Sequence, residues 1–311
     1  MDCLFILHPG HSAFDFAGPA EVVNKAIDEG ASFRLLVAGP EAECVNSLGV
    51  INRVGPLPEK LPDDTMVFLL GTQNEERDFA APAARRIVAW LGEHFNPARH
   101  RLACVCSGAI LAAKTGLLDG RRCTTHHALI DMLTAEAPAA QVLENRMFVE
   151  DGPILTSAGI AGGVDLALAI VERFAGGQLA TRVARRMVLY ARRTGDDPQL
   201  SPWLAHRNHL HPAVHKAQDL IARDAAVDWS VADLAARVHV SPRHLSRLFR
   251  REAGVGIVEY HHGLRIEIAR QLLAQGLSVE RAAEDVGFAS ARDLRRVWKR
   301  HAPGTPARHP E

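Results

Sequence analysis

A cysteine lies where an apolar strand pattern turns directly into a helical pattern. The segment R-L-A-C-V-C-S-G-A-I-L-A-A, residues 101–113, is a short apolar run followed by an Ala-rich helical run, with Cys106, Ser107 and Gly108 at the junction. A side chain at such a strand-to-helix elbow is presented above a sheet, and the small Gly108 permits the sharp turn. A helix N-terminus beside the sulfur favours the thiolate and anionic ligands. The sequence therefore predicts a reactive or ligand-binding thiol at Cys106.

A histidine pair and an acid accompany this thiol. The motif T-T-H-H at residues 124–127 supplies His126 or His127 as a base, and F-D-F-A-G-P at residues 14–19 supplies Asp15 after the first predicted strand. A thiolate, a proton carrier and an oxyanion site are what acyl transfer or hydration requires. These residues form a candidate nucleophilic set.

A zinc site is the alternative chemistry for the same region. C-x-C at 104 and 106 and C-x-x-H-H from 123 to 127 superficially supply zinc ligands. Cys104 lies two residues before Cys106 on one strand, which favours burial in the core, and Cys3, Cys44 and Cys123 are interpreted as small apolar residues. We expect neither a metal nor a cofactor.

The elements that position these residues belong to an α/β fold. Short apolar runs alternate with amphipathic helical runs over residues 1–190, which is typical of a mostly parallel sheet with helices on both faces. Strands are predicted at Cys3–His8, Phe33–Ala38, Met66–Leu70, Leu102–Val105 and Ile154–Thr156. Helices are predicted at Gly18–Glu29, Ala80–Phe95, Gly108–Thr115, Ala128–Ala135, Val164–Ala175 and Gln178–Arg192. Ligands bind at the carboxyl ends of such strands, so the loops after His8, Leu70, Val105 and Thr156 are the expected site.

The loop at residues 157–163 has two interpretations. Its three glycines precede a predicted helix that carries Asp165 in its first turn. The loop either lines the pocket or is a plain turn, with Asp165 interacting with the helix dipole.

The last eighty residues contain the same helical motif twice. Residues 231–252 and 278–301 each read as a short helix, a turn and a second helix, with Ser241-Pro242 and Ser290 as helix starts. The second helices have an apolar face and a basic face, and the run from Ile257 to Gln275 predicts a connecting helix about 30 Å long, close to one turn of B-DNA. An all-α domain with two helix-turn-helix units is expected. The alternative is a small helical bundle that binds protein, in which the Arg and Lys side chains are merely solvated.

Charge and composition agree with a nucleic-acid module attached to a globular body. Residues 211–311 hold sixteen Lys and Arg against twelve Asp and Glu, a net of about +4 in a chain whose formal charge is +0. The chain is 47% hydrophobic, it contains no run of eighteen apolar residues, and no basic segment precedes its first strand. The odd number of cysteines, five, fits a reducing compartment. We expect a cytoplasmic protein that neither spans nor binds a membrane, with a first domain at 1–192, a linker rich in proline and polar residues at 193–212, and a second domain at 213–311.

The C-terminal motifs resemble the AraC-type DNA-binding domain. The resemblance rests on the L-R-x-x-x-A-R-x-L-L run, on G-F-x-S before the last helix and on Gly304-Thr305-Pro306 after it. His309 and Pro310 depart from the family pattern, and Asp293 places an acid in the second basic helix, where it fits the helix dipole. By resemblance, one set of side chains approaches base edges: Arg243, Ser246, Arg247, Arg292, Arg295 and Arg296. A second set contacts phosphates: Arg250, Arg251, Lys299 and Arg300.

The N-terminal motifs resemble the ThiJ/PfpI, or class I glutamine-amidotransferase-like, domain. The resemblance is carried by residues 14–22, the elbow with L-A-A-K-T-G-L-L-D-G-R-R after it, residues 124–126 and residues 155–168. It gives Cys106 the nucleophile position, His126 the histidine position and Asp15 that of the neighbouring acid. Gly71-Thr72 stands where relatives donate backbone amides to an oxyanion, and the β-branched Thr departs from the usual Gly-Gly.

This order of domains resembles the GlxA-type regulators. The resemblance implies a transcription regulator that binds double-stranded promoter DNA, acts with RNA polymerase, forms a homodimer and senses a small nitrogen-containing metabolite. The alternative is an isocyanide-hydratase-like or amidase-like enzyme fused to a DNA-binding module. The residues themselves identify neither the effector nor the target sequence, and they do not distinguish an activator from a repressor.

Overall fold

The computed structural model describes residues 1–189, 192–197, 199, 206–207, 209, 211–302 and 304–306. The chain divides into two compact units, the first of which ends at Gln199. The first unit is α/β and the second is all-α, so the predicted fold classes are confirmed. The sequence departures at His309 and Pro310 lie outside the described residues, as does part of the predicted linker.

A single seven-stranded sheet organises the first unit. Its described strands are β1 (Asp2–Ile6), β2 (Arg34–Gly39), β3 (Glu43–Val45), β4 (Ile51–Arg53), β5 (Gly55–Pro56), β6 (Met66–Leu69), β7 (Arg101–Val105), β8 (Arg122–Cys123), β9 (Gln141–Val142), β10 (Phe148–Asp151) and β11 (Ile154–Ser157). The sheet order is β10-β11-β7-β6-β1-β2-β5, and only the β10–β11 pairing is antiparallel. The pairs β3–β4 and β8–β9 form two small sheets beside it. All five predicted strands are present, each with bounds within two residues of the prediction.

The helices of the first unit cover both faces of this sheet. They are α1 (Ala13–Asp28), α2 (Glu75–Ala80), α3 (Pro82–His94), α4 (Gly108–Ala113), α5 (Ile130–Glu136), α6 (Ala161–Ala175) and α7 (Gly177–Arg186), with a 3₁₀ turn at His127–Leu129. Alternate residues of β1 enter two separate cores: Phe5 packs with residues of α1 and α6, whereas Leu4 packs with residues of α3 and α4. This is the period of two expected of a strand that is buried on both faces.

Three helix boundaries differ from the prediction for local reasons. Helix α1 begins at Ala13 because the Ser12 hydroxyl caps it, accepting a 3.4 Å hydrogen bond from the Asp15 N–H. The helix predicted over residues 80–95 is α3, which begins at Pro82 because proline lacks an N–H group and suits the first position of a helix, and the short helix α2 before it was not predicted. The last predicted helix stops at Arg186, and Val188 follows with a φ of 55°.

Residues 193–197 and Gln199, in the first part of the predicted linker, pack against the first unit. Met147 donates through its main-chain N–H to the carbonyls of Gly195 (3.1 Å) and Asp197 (2.9 Å). Arg193 forms an ion pair of 2.7 Å with the buried carboxylate of Asp165. We call residues 193–197 together with Gln199 the strap, and it belongs structurally to the α/β domain.

The second unit contains six described helices around two cores. They are α8 (Pro212–Arg223), α9 (Val231–Arg237), α10 (Pro242–Ala253), α11 (Ile257–Ala274), α12 (Val279–Asp285) and α13 (Ala291–His301). Helices α8 to α10 and the first part of α11 share one core, and the rest of α11 shares a second core with α12 and α13. Serine hydroxyls cap α9, α10, α12 and α13, as the sequence predicts for Ser241 and Ser290.

Candidate functional site

Four neighbouring parallel strands bring the predicted site residues to one edge of the sheet. Cys106 follows β7, Gly71 and Thr72 follow β6, Asp15 lies in the first turn of α1 after β1, and the loop at residues 158–160 follows β11. Because β11, β7, β6 and β1 are adjacent and parallel, their carboxyl ends lie side by side. The structure brings Cys106, Asp15, Gly71, Thr72 and Ser107 together.

The elbow at Cys106 is strained, and it is closely covered. Cys106 has a φ of 56°, which is a rare conformation for a residue with a side chain, and it is 7% exposed. The positive φ of the turn lies at Cys106 itself and not at Gly108. A β-carbon at Gly108 would lie 2.3 Å from the carbonyl oxygen of Leu69, so glycine is needed there for close approach to β6.

Asp15 is a buried carboxylate that is only half satisfied. Its Oδ1 atom accepts a 2.7 Å hydrogen bond from the main-chain N–H of Ile160. Its Oδ2 atom is buried without a fully formed hydrogen bond and faces Gly71 and Cys106. Burial raises the pKa of Asp15 from its ordinary value of 3.8 to about 6, against the lowering effect of the surrounding donors. The site therefore contains an acceptor that a donor from a bound molecule would satisfy.

The expectation of a thiolate at Cys106 is not supported. Burial raises the thiol pKa well above its usual range, the negative charge of Asp15 raises it further, and the nearby N–H of Ser107 lowers it only in part. Desolvation outweighs the helix N-terminus here because α4 has only six residues and the sulfur is almost completely covered. These surroundings favour the neutral thiol over the thiolate.

One of the two amides that resemblance assigns to an oxyanion site, that of Thr72, already has a partner, and the other faces the Asp15 carboxylate. The Thr72 N–H donates to the Ser107 hydroxyl oxygen at 3.0 Å, and both residues are buried. The Gly71 N–H is directed at the Asp15 carboxylate. The Thr72 hydroxyl is held by the carbonyl of Gly10 at 2.9 Å and by the carboxylate of Asp78. An oxyanion could use the Thr72 amide only if its hydrogen bond to Ser107 were broken.

The loop that bears His126 is joined to the elbow through Thr125. The Thr125 hydroxyl donates to the carbonyl of Cys106 at 2.9 Å. The half-buried His126 ring accepts a 3.4 Å hydrogen bond from the Ala128 N–H and packs against the exposed ring of His127, with 4.2 Å between centroids. The hydrogen bond described for His126 therefore caps its own turn rather than reaching the thiol.

The strap holds the other side of this loop through Gln199, a residue that the sequence patterns did not single out. The Gln199 side-chain amide is buried and donates to the carbonyls of Thr125 (2.7 Å) and Arg146 (2.8 Å). Its oxygen accepts a 2.7 Å hydrogen bond from the His127 N–H. Gln199 thus satisfies three main-chain groups in and beside the histidine loop.

The glycine-rich loop after β11 covers the thiol. A β-carbon on Gly159 would lie 2.1 Å from the β-carbon of Cys106, and Gly159 has a φ of 83°. The next residue, Ile160, is held at a φ of 46° and a ψ of −115° and is 52% exposed. The loop therefore lies directly against Cys106.

Asp165 forms an ion pair with the strap, and the cysteines are buried. Asp165 lies beyond the first turn of α6 and pairs with Arg193 of the strap, so its interpretation as a first-turn acid is wrong. All five cysteines are buried and unpaired as disulfides. Within the described residues, no group of three or more His, Cys, Asp or Glu side chains is arranged to hold a metal ion.

The predicted DNA-binding side chains lie on the exposed faces of α10 and α13. They are Arg243, Ser246, Arg247, Arg250 and Arg251 on α10, and Arg292, Arg295, Arg296, Lys299 and Arg300 on α13. A groove of about 1020 Å³ runs along α10, past the start of α11, to the end of α13, and five of its lining residues are arginines. Asp293 is the first-turn acid of α13, as predicted, and pairs with Arg296 at 3.2 Å.

Comparison with known proteins gives matches over both units. The DJ-1/PfpI family profile matches residues 1–173, and a helix-turn-helix domain profile matches residues 234–309. The HTH-type transcriptional regulator CdhR of Pseudomonas aeruginosa is 28% identical over 310 residues, which is 98% of this chain and 90% of the relative. The HTH-type transcriptional regulator GlxA of Rhizobium meliloti is 30% identical over 207 residues, or 66% of this chain and 64% of the relative. The crystal structure of a ThiJ/PfpI family protein from Pseudomonas syringae aligns with a TM-score of 0.52 at 19% identity, covering 71% of this chain and 86% of that one.

The fold, the basic helices and the matches to known families and relatives together define a DNA-binding transcription regulator. It is built from an α/β domain and a helix-turn-helix domain. The chain belongs to the DJ-1/PfpI family. Among the described helices, none combines the length and the apolar character needed to cross a membrane.

Proposed function

We propose that the α/β domain binds a small nitrogen-containing metabolite at Asp15 and Cys106 without turning it over, and that this binding changes the affinity of the protein for promoter DNA. The observation that carries the proposal is the buried Oδ2 atom of Asp15, which faces the thiol and lacks a complete donor. A buried carboxylate oxygen in this state favours a ligand with an N–H group or a positive charge. Amines and amino acids have this chemistry.

The surroundings of Cys106 favour binding over turnover. A nucleophilic cysteine needs the thiolate, a base within reach and free donors for the developing oxyanion. Here the thiol pKa is raised, the described His126 hydrogen bond goes to Ala128, and the Thr72 amide is bonded to Ser107. A regulator also gains from a ligand that is released unchanged, since turnover would erase the signal.

The path from the site to the rest of the chain runs through Thr125 and Gln199. Thr125 holds the carbonyl of Cys106, and Gln199 holds the carbonyl of Thr125. Gln199 is also the residue at which the first unit ends. Movement of the elbow on ligand binding would be transmitted along two hydrogen bonds to the segment that leads into the DNA-binding unit.

The proposed partners follow from the basic surface and the repeated unit. Double-stranded promoter DNA would contact the arginines of both α10 and α13, and RNA polymerase would be the partner at a regulated promoter. We also propose a cytoplasmic homodimer, because two copies would join two DNA sites and raise the affinity through effective concentration. Sedimentation of the full-length chain as a monomer at micromolar concentration, with and without DNA, would exclude the dimer.

The test of the sensing proposal is ligand binding by the full-length chain. A panel of amines, amino acids, quaternary ammonium compounds, amides and isocyanides is screened by calorimetry and by product analysis. We expect saturable binding of at least one nitrogen compound, loss of that binding in Asp15→Asn and Cys106→Ala, and an unchanged basal affinity for DNA. Asp119→Asn, which alters an exposed carboxylate, is the matched control.

Two results would overturn this proposal. Steady product formation that depends on Cys106 would establish an enzyme, and binding that survives both site variants would place the ligand elsewhere. Linkage adds an internal check: a ligand that strengthens DNA binding must itself bind more tightly when DNA is present, by the same factor.

A further inference from the structure

One buried arginine joins the two halves of the DNA-binding unit. Arg265 of α11 is 4% exposed, and its guanidinium donates to three successive carbonyls in the turn after α8: Ala225 (2.7 Å), Ala226 (3.1 Å) and Val227 (3.1 Å). Three main-chain acceptors arranged around one planar donor fix that turn against α11 more rigidly than a single bond would.

A histidine one turn earlier on α11 supports the same turn. His261 is 5% exposed, and its Nε2–H donates to the Ala225 carbonyl at 2.7 Å. Burial lowers the pKa of His261 to about 4, so the ring is neutral at physiological pH and keeps one donor nitrogen for this contact.

The second helix-turn-helix unit meets the first at this same place. A β-carbon added to Gly287, in the turn between α12 and α13, would lie 2.1 Å from the carbonyl oxygen of Ala226. The Arg265 guanidinium lies over the ring of Phe288, 5.6 Å from its centroid. We define the joint as Ala225–Val227, His261, Arg265 and Gly287-Phe288. It is a direct contact between the turn that precedes the first helix-turn-helix unit and the turn within the second helix-turn-helix unit.

The joint restricts the movement of one helix-turn-helix unit relative to the other, which the two separate cores would otherwise allow. Helix α10 packs on the first part of α11 through residues such as Tyr260 and Leu264, and α13 packs on the later part through residues such as Ile266 and Ala269. Without the joint, the two cores share only α11, a helix of 18 residues and about 27 Å that could bend or twist between them. With it, each half contacts the other as well as the shared helix.

We propose that Arg265 is a positioning residue that sets the one spacing at which α10 and α13 can bind DNA together. This inference rests on the proposal that both helices contact DNA. Arg265 itself lies in the interior and does not belong to the exposed basic surface. Its effect is therefore on the distance and angular phase between the two recognised DNA segments, not on the bases preferred within either segment.

The test is selection from a random-sequence duplex DNA library by the full-length protein. The wild type is expected to recover two conserved segments at a single spacing. Arg265→Lys keeps the positive charge but cannot reach three carbonyls at once, so it should recover the same two segments at several spacings and bind the wild-type site at least tenfold more weakly. Arg281→Lys makes the same change at an exposed arginine of α12 and should leave the spacing unchanged.

Gly287→Ala gives a second variant that leaves Arg265 intact, in case Arg265→Lys fails to fold. Its β-carbon would displace the Ala226 carbonyl, and it should broaden or shift the spacing in the same assay. A single unchanged spacing in a folded Arg265→Lys or Gly287→Ala protein overturns the inference alone. A wild-type selection that yields only one conserved segment overturns it together with the proposal that both helices bind.

Discussion

The Oδ1 atom of Asp15 and the main-chain N–H of Ile160 lie 2.7 Å apart, although 145 residues separate them in the chain. This hydrogen bond ties the start of α1 to the loop that covers Cys106. Ile160 is held in a backbone conformation that is strained for a β-branched residue, so the bond stabilises a loop that would otherwise relax. Asp15 therefore both lines the candidate site and holds the loop that covers Cys106.

The first prediction concerns the pH dependence of Asp15→Asn. The folded-state pKa of Asp15, about 6, exceeds the ordinary value of 3.8, so the folded state binds more protons between these values. The contribution of Asp15 to stability is fully present below pH 4 and is lost as the pH rises through 6. A shift of about two units corresponds to roughly 3 kcal/mol.

The measurement is the unfolding transition of the α/β unit by calorimetry from pH 4 to pH 7. We expect the stability of Asp15→Asn relative to the wild type to rise across this window by up to about 3 kcal/mol. Asp119→Asn should show no such trend. A difference between Asp15→Asn and the wild type that stays constant with pH would contradict the raised pKa.

The second prediction concerns alkylation of Cys106. Because burial raises the pKa of the thiol and leaves the residue almost completely covered, native Cys106 should react with iodoacetamide at pH 8 more slowly than the same cysteine in the urea-unfolded chain. Asp15→Asn removes a negative charge that raises the thiol pKa, so it should speed the reaction severalfold. Peptide mass spectrometry follows the label, and rapid labelling of the native wild type would refute this account.

The third prediction concerns the strain at Ile160. At its φ of 46° a residue without a β-carbon is favoured, and the side chain is half exposed, so little apolar burial is lost on truncation. Ile160→Gly should therefore be more stable than Ile160→Ala by about 1 kcal/mol, the reverse of the order at an ordinary position. Paired denaturant curves measure the difference, and Ala being the more stable would show that the loop relaxes freely.

The fourth prediction separates base recognition from phosphate contact on α10. Arg247→Ala should cost about 1 to 3 kcal/mol on the selected DNA site and relax the preference for a base. Arg251, whose guanidinium pairs with Glu252 at 2.6 Å, is expected to contact phosphate. Arg251→Ala should weaken binding to all sequences alike and reduce the salt slope by roughly one. Equal specificity loss in both variants would show that the two roles are assigned wrongly.

The fifth prediction concerns Gln199. Gln199→Ala leaves the carbonyls of Thr125 and Arg146 and the N–H of His127 without these partners, so amide exchange at His127 should become faster. Any effect of a bound metabolite on DNA affinity should shrink, while DNA binding without metabolite remains. Hydrogen exchange and DNA titrations on the full-length chain measure both, and unchanged coupling would remove Gln199 from the path.

The sheet and the two helix-turn-helix units could be predicted from the sequence because their signals are local. Buried strands such as β6 are continuous apolar runs, and Ser241-Pro242 marks a helix start with a cap and a fixed φ. The antiparallel strand β10 and the small sheets were missed. They are two to four residues long, which is too short for a period of two to show.

The elements that bring the candidate site residues together could be predicted, but the surroundings that set the thiol pKa could not. The elbow motif placed Cys106 correctly, whereas its raised pKa depends on Asp15 and on the cover by Gly159, which lie far away in the chain. Gln199 gave no signal because it stands in a polar, proline-containing segment that has the composition of a linker. Long-range main-chain contacts of this kind have no periodicity to detect.

The three hydrogen bonds of Gln199 also decide how the α/β domain can be cut from the chain for separate study. A fragment that ends at residue 192, where the helical pattern suggests a boundary, would lack Arg193 and Gln199 and would leave the Asp165 carboxylate buried without its cation. Such a fragment would keep Cys106 but lose the support of the loop that bears His126. A fragment that ends at Gln199 retains both contacts. Affinities measured on the shorter piece would describe a binding site that the whole protein does not contain.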